Sequence, residues 1–307
     1  MKKLLAIILA VALMATLFAG CQGGGKINPD TLEVQLIPSR DASVLDAQRK
    51  PLQDLLEAEL GMPVNVTVAT DYNALIEGMA SEQIHVGLLA TTAYVLAADE
   101  GSAEAILKSL RYDVDDMGVK QKDQPLVSGY YSQLLAHKDS GISNVADLAG
   151  KKIAISSFTS TSGFVWPANL LADAGIDPET GVEWINAGGH DNAVLAVFNG
   201  EADAAFTFKD ARTLFEDEDN YTDIQTTCKF IMNTSIIPND TISVIPNLKE
   251  KLKDDVKAAF LAIAASDAGL EIIRAIYNHE GYAEAKDSDY DEVRTYLARK
   301  SEWGDFE

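Results

Sequence analysis

The sequence predicts an α/β protein of two lobes, each a mostly parallel β-sheet flanked by helices. From Leu32 onward, short apolar or alternating runs typical of strands are followed by amphipathic runs typical of helices. Such alternation favours parallel sheets that are covered on both faces. It occurs in two successive series, separated by a polar connection at 112–124. The chain then returns to the first series, so two crossings are expected and the lobes should form a clamshell.

The first twenty residues are predicted to be a lipoprotein secretion signal. Basic Lys2 and Lys3 precede an apolar run at 4–18 and the small residues before Cys21. Cys21 would then be the mature N-terminus, acylated with a chain such as palmitate, and 21–29 a flexible Gly-rich tether. A retained anchor is less favoured, because a spanning helix needs about 20 apolar residues. We expect an extracytoplasmic protein held at the membrane by lipid.

Lobe I is expected to comprise residues 30–125 and 238–307, because its pattern resumes after the second series. Its strands are predicted at 32–38, 64–68, 85–90 and 241–245. Its helices are predicted at 42–60, 74–79, 93–98, 249–265, 268–278 and 291–300.

Lobe II is expected to comprise residues 126–237. Its strands are predicted at 127–137, 152–156, 182–186, 202–208 and 227–231, and its helices at 144–148, 167–174 and 192–198. The hinge should lie where the chain crosses, near 126–130 and 235–240.

The composition excludes several classes of protein and site. The formal charge of −22 argues against nucleic acid as a partner, since phosphate backbones require a basic surface. Any anion site must therefore be local. If Cys21 carries lipid, Cys228 has no partner for a disulfide and is expected to be a small core residue. No zinc spacing exists with two cysteines, and we expect no metal and no cofactor.

A run of hydroxyl side chains at 156–162 connects the strand at 152–156 to the helix at 167–174. Free N–H groups and the positive end of a helix dipole meet at such a turn, and Ser and Thr add hydroxyl donors. One of these residues could simply cap the helix, but a cap explains only one hydroxyl. The turn therefore predicts a site for an oxyanion.

Six short motifs occur in an order that resembles the phosphonate, phosphite and phosphate-binding proteins of ABC importers. They are Asp71-Tyr72, Ser128-Gly129-Tyr130, Ser160-Thr161-Ser162-Gly163, Asn186-Ala187-Gly188-Gly189-His190-Asp191-Asn192, Gly200-Glu201-Ala202-Asp203, and Ser235-Ile236-Ile237-Pro238-Asn239-Asp240. The resemblance covers nearly the whole mature chain. It implies a periplasmic-binding-protein clamshell of type II, with the ligand held between the lobes.

The resemblance also implies which residues contact the ligand. The oxyanion would be held by Tyr72, Tyr130, Ser160, Thr161, Ser162 and His190. Asp210 and Asp240 match acidic positions that face the substituent of the ligand. A carboxylate repels an oxyanion unless a proton is shared or a cation lies between them. A protonated phosphorus oxyanion can supply that proton and sulfate cannot, while the ammonium of an aminoalkylphosphonate could pair with both acids. Both aspartates could also be solvated surface charges.

The expected function is capture of phosphonate, phosphite or phosphate and delivery to an ABC permease with its ATPase. We expect a monomer. One alternative keeps the clamshell but binds a sulfonate, a pyrimidine phosphate or a thiamine precursor, with Phe164, Trp166 or Trp184 stacking on a ring. Another is a surface receptor that signals to a partner. An enzyme is least favoured, because Ser162 and His190 lie in no nucleophile-elbow motif and no catalytic residues are predicted.

Overall fold

The structure is a computed structural model, and it describes residues 25–116, 119–209, 211–215 and 219–299. The predicted signal, Cys21 and Asp210 lie outside the described residues. Within those ranges no helix is both long enough and apolar enough to cross a membrane.

The chain alternates strands and helices as predicted. The strands are β1 (Leu32–Leu36), β2 (Val64–Val68), β3 (Val86–Leu89), β4 (Glu104–Leu110), β5 (Gly129–His137), β6 (Lys152–Ile155), β7 (Glu183–Asn186), β8 (Ala204–Phe208), β9 (Cys228–Pro238), β10 (Thr241–Val244) and β11 (Gly281–Glu284). The helices are α1 (Ala42–Leu60), α2 (Tyr72–Ala80), α3 (Thr91–Asp99), α4 (Trp166–Asp173), α5 (His190–Phe198), α6 (Ile224–Thr227), α7 (Glu250–Ala265), α8 (Asp267–Tyr277) and α9 (Asp291–Ala298). A π-helical turn, Thr161–Val165, leads directly into α4.

The strands form two mixed sheets. The first has the order β11-β4-β10-β3-β1-β2 and the second the order β7-β6-β8-β5-β9. In the first, β1 pairs in parallel with β2 and β3, and β10 is antiparallel to both β3 and β4. In the second, β6 pairs in parallel with β7 and β8, and β5 is antiparallel to both β8 and β9. Below, lobe I means the first sheet with its helices and lobe II the second.

The two-lobed α/β architecture is confirmed, with differences in detail; among them, α6 was not predicted, and the helix predicted at 144–148 is a 3-10 helix at Val145–Leu148. The first sheet contains two strands of reversed direction, β10 and β11, and the second contains one, β5. Strands β4 and β11 were not predicted, and β9 continues to Pro238 rather than ending at residue 231. The lobe boundaries at 125/126 and 237/238 stay predictions.

Helix α1 shows how the sequence builds lobe I. Asp41 caps it by accepting a hydrogen bond from the Ser43 N–H, and Gly61 ends it with a φ of 65°. Leu45, Leu52 and Leu56 are spaced along one face and are completely buried. Each buried leucine contributes roughly 1.5–3 kcal/mol, so this face fixes α1 against the sheet.

The two crossing segments lie side by side. Gly129 and Tyr130 at the start of β5 pair with Pro238 and Ile237 at the end of β9. Immediately after β9, the buried Asn239 side chain donates to the Ser109 carbonyl at 2.9 Å and the Val127 carbonyl at 3.1 Å. The bond to Ser109 anchors the crossing to β4. The hinge at this place stays a prediction.

Candidate ligand-binding site

A cavity of about 40 Å³ lies between the two lobes. Its lining residues come from both: Ile37, Ser39, Arg40, Tyr72, Ala90, Arg111, Asp240, Tyr277 and Asn278 from lobe I, and Tyr130, Ser160, Ser162, His190 and Phe208 from lobe II. A cavity needs about 10–15 Å³ on this measure to hold one water. The space therefore suits an ion of a few heavy atoms.

The hydroxyl turn forms one wall of this cavity. Ser160 caps the π-helical turn, its hydroxyl accepting from the Gly163 N–H at 3.1 Å. Ser160 and Ser162 both line the cavity. The backbone N–H groups at the start of such a helix have no acceptor in a preceding turn. The turn thus presents hydroxyls and amides together.

The Thr161 side chain is used differently from its two neighbours. Its hydroxyl accepts from the Thr92 N–H at 2.9 Å and donates to the Thr92 hydroxyl at 2.9 Å. Thr161 is buried and is not among the lining residues. Its hydroxyl joins the lobe II turn to the start of α3 in lobe I, and a contact of this side chain with ligand stays a prediction.

His190 is the first residue of α5 and is almost completely buried. Its Nδ1 lies 2.9 Å from the Thr207 hydroxyl, and its Nε2 lies 3.2 Å from that of Ser156 and 3.3 Å from that of Ser160. Burial lowers the pKa of His190 to about 3, although Asp240 partly opposes the shift. The ring is neutral, and if Nδ1 accepts from Thr207, then Nε2 donates to the serine hydroxyls. Their own protons are then available to an anion.

Two tyrosines supply further donors. Tyr72 opens α2, Tyr130 lies in β5, and both are buried. Burial raises the pKa of both Tyr72 and Tyr130 well above the ordinary value, so both phenols keep their protons. The Tyr72 hydroxyl is near the Ser156 and Ser160 hydroxyls, but it has no partner in hydrogen-bond geometry in the described part of the chain.

Asp240 follows β9 at the second crossing and lines the cavity. Its Oδ2 lies 3.7 Å from a terminal nitrogen of Arg111 and 3.6 Å from Nε2 of His279. The Arg111 guanidinium also lies over the Tyr130 ring, 4.8 Å from its centroid. The acid therefore belongs to a charged cluster and is not a solvated surface group.

A family model for the periplasmic substrate-binding protein of phosphonate ABC transporters matches residues 34–290. The chain belongs to this phosphonate-binding family. It is similar to the "Phosphate-import protein PhnD" of Mycolicibacterium smegmatis, with 32% identity over 214 residues that cover 65% of this chain and 64% of that relative. The chain thus spans just under two thirds of that relative's length.

Solved structures show the fold of the phosphonate-binding family. A binding protein component of an ABC phosphonate transporter from Pseudomonas aeruginosa superposes with a TM-score of 0.76 at 20% identity, covering 89% of this chain and 87% of that one. PhnD1 from Prochlorococcus marinus, in complex with methylphosphonate, superposes with a TM-score of 0.73 at 19% identity, covering 89% and 99%. The type II periplasmic-binding-protein clamshell is confirmed, and the family is one of transport proteins rather than of enzymes.

The aromatic residues expected to stack on a ring-shaped ligand make other contacts in the structure. Phe164 contacts Phe158 and Trp184 edge to face at 5.1 Å each. Trp166 stacks on Tyr296 with 4.1 Å between ring centroids. Phe164, Trp166 and Trp184 are not among the cavity-lining residues.

Sequence reasoning missed the cationic part of the site. Arg111 directly follows β4, so the rule that ligand residues follow strands would have found it had β4 been recognised. Ser39 and Arg40 likewise follow β1. Tyr277 and His279 come from the end of α8, and no local signal places them there.

Asp210 lies outside the described residues, and no group of three or more His, Cys, Asp or Glu side chains in the described ranges is arranged to hold a metal ion.

Proposed function

We propose that this protein captures a small phosphorus oxyanion (phosphate, phosphite or a small phosphonate) between its lobes for delivery to an ABC permease. One observation carries the proposal. Buried hydroxyl donors converge on a cavity of about 40 Å³, and the Tyr72 hydroxyl there lacks a hydrogen-bond partner in the described part of the chain. A buried donor without an acceptor is costly, and an oxyanion would satisfy it.

The available donors are sufficient in number. A hydrogen bond to a charged acceptor contributes roughly 1.5–3 kcal/mol. Four or five such bonds, from residues such as Tyr72, Ser160 and Ser162, could supply the roughly 8 kcal/mol of micromolar binding after ordering costs. Tyr130, Thr161 and His190 complete the proposed oxyanion shell, with Thr161 contributing through its backbone.

Asp240 favours a phosphorus oxyanion over sulfate. Arg111 and His279 both face Oδ2 of Asp240. The other carboxylate oxygen, Oδ1, is therefore able to accept a hydrogen bond from a protonated ligand. Monoprotonated phosphate, phosphite or phosphonate can donate that hydrogen bond at neutral pH, whereas sulfate has no proton to donate. Asp210, the second acid of the resemblance, is proposed to take part in the same way. Support for this class of ligand comes from the similarity to a phosphate-import protein and to a protein in complex with methylphosphonate.

Calorimetric titration of the mature protein with phosphate, phosphite, methylphosphonate and sulfate tests the proposal. We expect at least one phosphorus oxyanion to bind in the micromolar range or tighter and sulfate to bind far more weakly. Ser160→Ala should weaken binding by roughly 10-fold to 100-fold through loss of one charged hydrogen bond. Ser157→Ala is the matched control, because the Ser157 hydroxyl accepts from the Thr159 N–H and is not part of the cavity lining. Tight sulfate binding with none for any phosphorus ligand would refute the proposal.

We further propose that lipid on Cys21 holds the protein at the outer face of the membrane, near its permease. The support is the sequence of residues 1–21 and the Gly-rich stretch that follows. Mass spectrometry of protein extracted from membranes should show acyl chains on the cysteine and no residues before it.

A further inference from the structure

The cavity wall contains a fixed positive charge. Arg111 is held through its backbone by two hydrogen bonds with Val127, at 3.1 Å and 2.8 Å. Its side chain is only 9% exposed, and the guanidinium lies over the Tyr130 ring. A guanidinium confined in this way cannot swing into solvent when a ligand enters.

This charge already compensates the acid that faces the ligand. Arg111 and His279 approach the same oxygen of Asp240, at 3.7 Å and 3.6 Å. Burial lowers the pKa of His279, with Asp240 opposing the shift, so its imidazole is neutral near pH 7. The permanent positive charge beside Asp240 is therefore that of Arg111.

A ligand with its own cation meets a different environment from a ligand without one. An ammonium attached to a phosphonate would approach Asp240 close to the guanidinium, and like charges a few ångströms apart in a poorly solvated cavity repel strongly. A ligand whose substituent is a hydroxyl, a hydrogen or a methyl group meets no such penalty. Arg111 already compensates the negative charge of Asp240 before any ligand binds.

We propose that Arg111 is a specificity-determining residue that excludes phosphonates with cationic substituents, so that the site takes small oxyanions with an uncharged substituent. The inference rests on the proposed function and narrows it. Asp240 alone could pair with either a protonated oxyanion or an aminoalkylphosphonate. The positive charge of Arg111 distinguishes between these two classes of ligand.

The test compares three ligands by calorimetric titration: methylphosphonate, 2-aminoethylphosphonate and propylphosphonate. Propylphosphonate has the length of 2-aminoethylphosphonate but ends in a methyl group, so it controls for the small size of the cavity. The wild-type protein should bind methylphosphonate at least tenfold more tightly than 2-aminoethylphosphonate. In Arg111→Gln, the affinity for 2-aminoethylphosphonate should rise at least tenfold relative to that for propylphosphonate, because its ammonium can replace the lost guanidinium beside Asp240.

Two further variants keep the result interpretable. Adding Asp240→Asn to Arg111→Gln should abolish the gain for 2-aminoethylphosphonate, since the ammonium then has no carboxylate to pair with. Arg49→Gln removes one surface arginine, paired with Asp46 on α1, and should leave all three affinities unchanged. Thermal unfolding checks that each variant is folded, and Arg111→Lys, which keeps the charge, should retain the wild-type preference.

Specific outcomes overturn the inference. It is wrong if the wild-type protein binds 2-aminoethylphosphonate as tightly as methylphosphonate, or if Arg111→Gln changes the affinities for 2-aminoethylphosphonate and propylphosphonate equally. In both cases the proposed capture of phosphorus oxyanions still stands. If the wild-type protein binds no phosphorus oxyanion at all, both proposals fail together.

Discussion

At the scale of single residues, His190 organises the hydroxyls of the site without carrying a charge. Its two ring nitrogens contact the hydroxyls of Thr207, Ser156 and Ser160. The charged groups that act on the ring are Asp240, which favours its protonation, and Arg111, which opposes it. Burial outweighs both, so the ring stays neutral and the hydroxyls keep fixed positions.

A buried neutral histidine makes stability depend on pH. Because the pKa of His190 falls from 6.5 to about 3 on folding, the unfolded chain binds the extra proton between these values. The part of the folding free energy that depends on a neutral His190 is therefore fully present above about pH 6.5, and it is lost as the pH falls from there toward 3. One proton changes the free energy of unfolding by at most about 1.4 kcal/mol per pH unit.

Urea unfolding of the ligand-free protein between pH 7.5 and 5 measures this dependence. His190→Gln can keep a hydrogen bond to the serines but has no proton to take up, so its stability should vary less with pH than that of the wild type. His137→Gln is a control, because His137 lies outside the cavity at the end of β5. Equal slopes for the wild type and His190→Gln would contradict the prediction.

The sequence alone indicated where residues that closely follow a strand would lie in the fold. Tyr72, Ser160 and His190 each come just after a strand, and the ends of neighbouring strands bring such residues together. Thr161 was expected to face the same cavity, but alternate side chains on a tight helical turn point in different directions, and its hydroxyl meets Thr92 instead. Arg111 and His279 could not be placed, because they converge on Asp240 from segments far apart in the chain.

At the scale of elements, the turn between β6 and α4 depends on a glycine. A methyl group at Gly163 would lie 2.8 Å from the Ser156 hydroxyl and 2.9 Å from that of Ser160. Both distances are well below van der Waals contact, and both hydroxyls also contact His190. The absence of a side chain at this position therefore allows the hydroxyls to pack around the start of the helix.

Gly163→Ala should weaken ligand binding by at least tenfold while the protein still folds. The added methyl group must displace the Ser160 hydroxyl, whose loss as a donor is worth roughly 1.5–3 kcal/mol toward an anion. Calorimetric titration with the best phosphorus ligand measures the effect, and circular dichroism checks the fold. Gly281→Ala in β11 is the matched control, because its nearest neighbour would be a Leu126 methyl at 3.7 Å, an ordinary contact. Unchanged affinity in Gly163→Ala would show that the turn does not position the donors.

The elements that the sequence did not predict are those fixed by distant pairing. Strand β11 has four residues at the edge of its sheet, where β4 is its one partner among the described strands. Strand β4 in turn pairs with β10, which follows all the strands of lobe II in the chain. Short strands of this kind carry a weak local pattern, and only the assembled sheet determines them.

At the scale of the whole molecule, the lobes contact each other through residues that line the cavity or adjoin its lining in the chain. The His190 N–H donates to the Ser39 carbonyl at 3.0 Å, and the Asp41 N–H donates to the Asp191 carboxylate at 2.8 Å. The Thr161–Thr92 pair adds a third connection. We therefore expect ligand capture and the approach of the lobes to be linked, because the segments that surround the cavity also join one lobe to the other.

A fourth contact between the lobes lies away from the cavity and can be removed without touching the ligand. Trp166 at the start of α4 stacks on Tyr296 of α9, with ring planes 6° apart. The Trp166 indole N–H also donates to the Ser235 hydroxyl at 3.1 Å, which lies 3.0 Å from the Tyr296 hydroxyl. Since α9 packs on α3 in lobe I, this stack can form only when the lobes are together.

Tyr296→Ala should therefore shift the equilibrium toward separated lobes and lower the apparent affinity, although no ligand contact is lost. An aromatic pair contributes about 0.5–1.5 kcal/mol beyond its buried area, so binding should weaken by roughly threefold to tenfold. Calorimetric titration gives the affinity, and small-angle X-ray scattering should show a larger radius of gyration at a given ligand concentration. Tyr221→Ala removes aromatic contacts with Phe198 and Phe215 inside lobe II and should leave both quantities unchanged. If Tyr296→Ala binds as tightly as the wild type, the stack contributes nothing to closure, and other contacts hold the lobes together, such as the ion pair between Arg299 and Asp173.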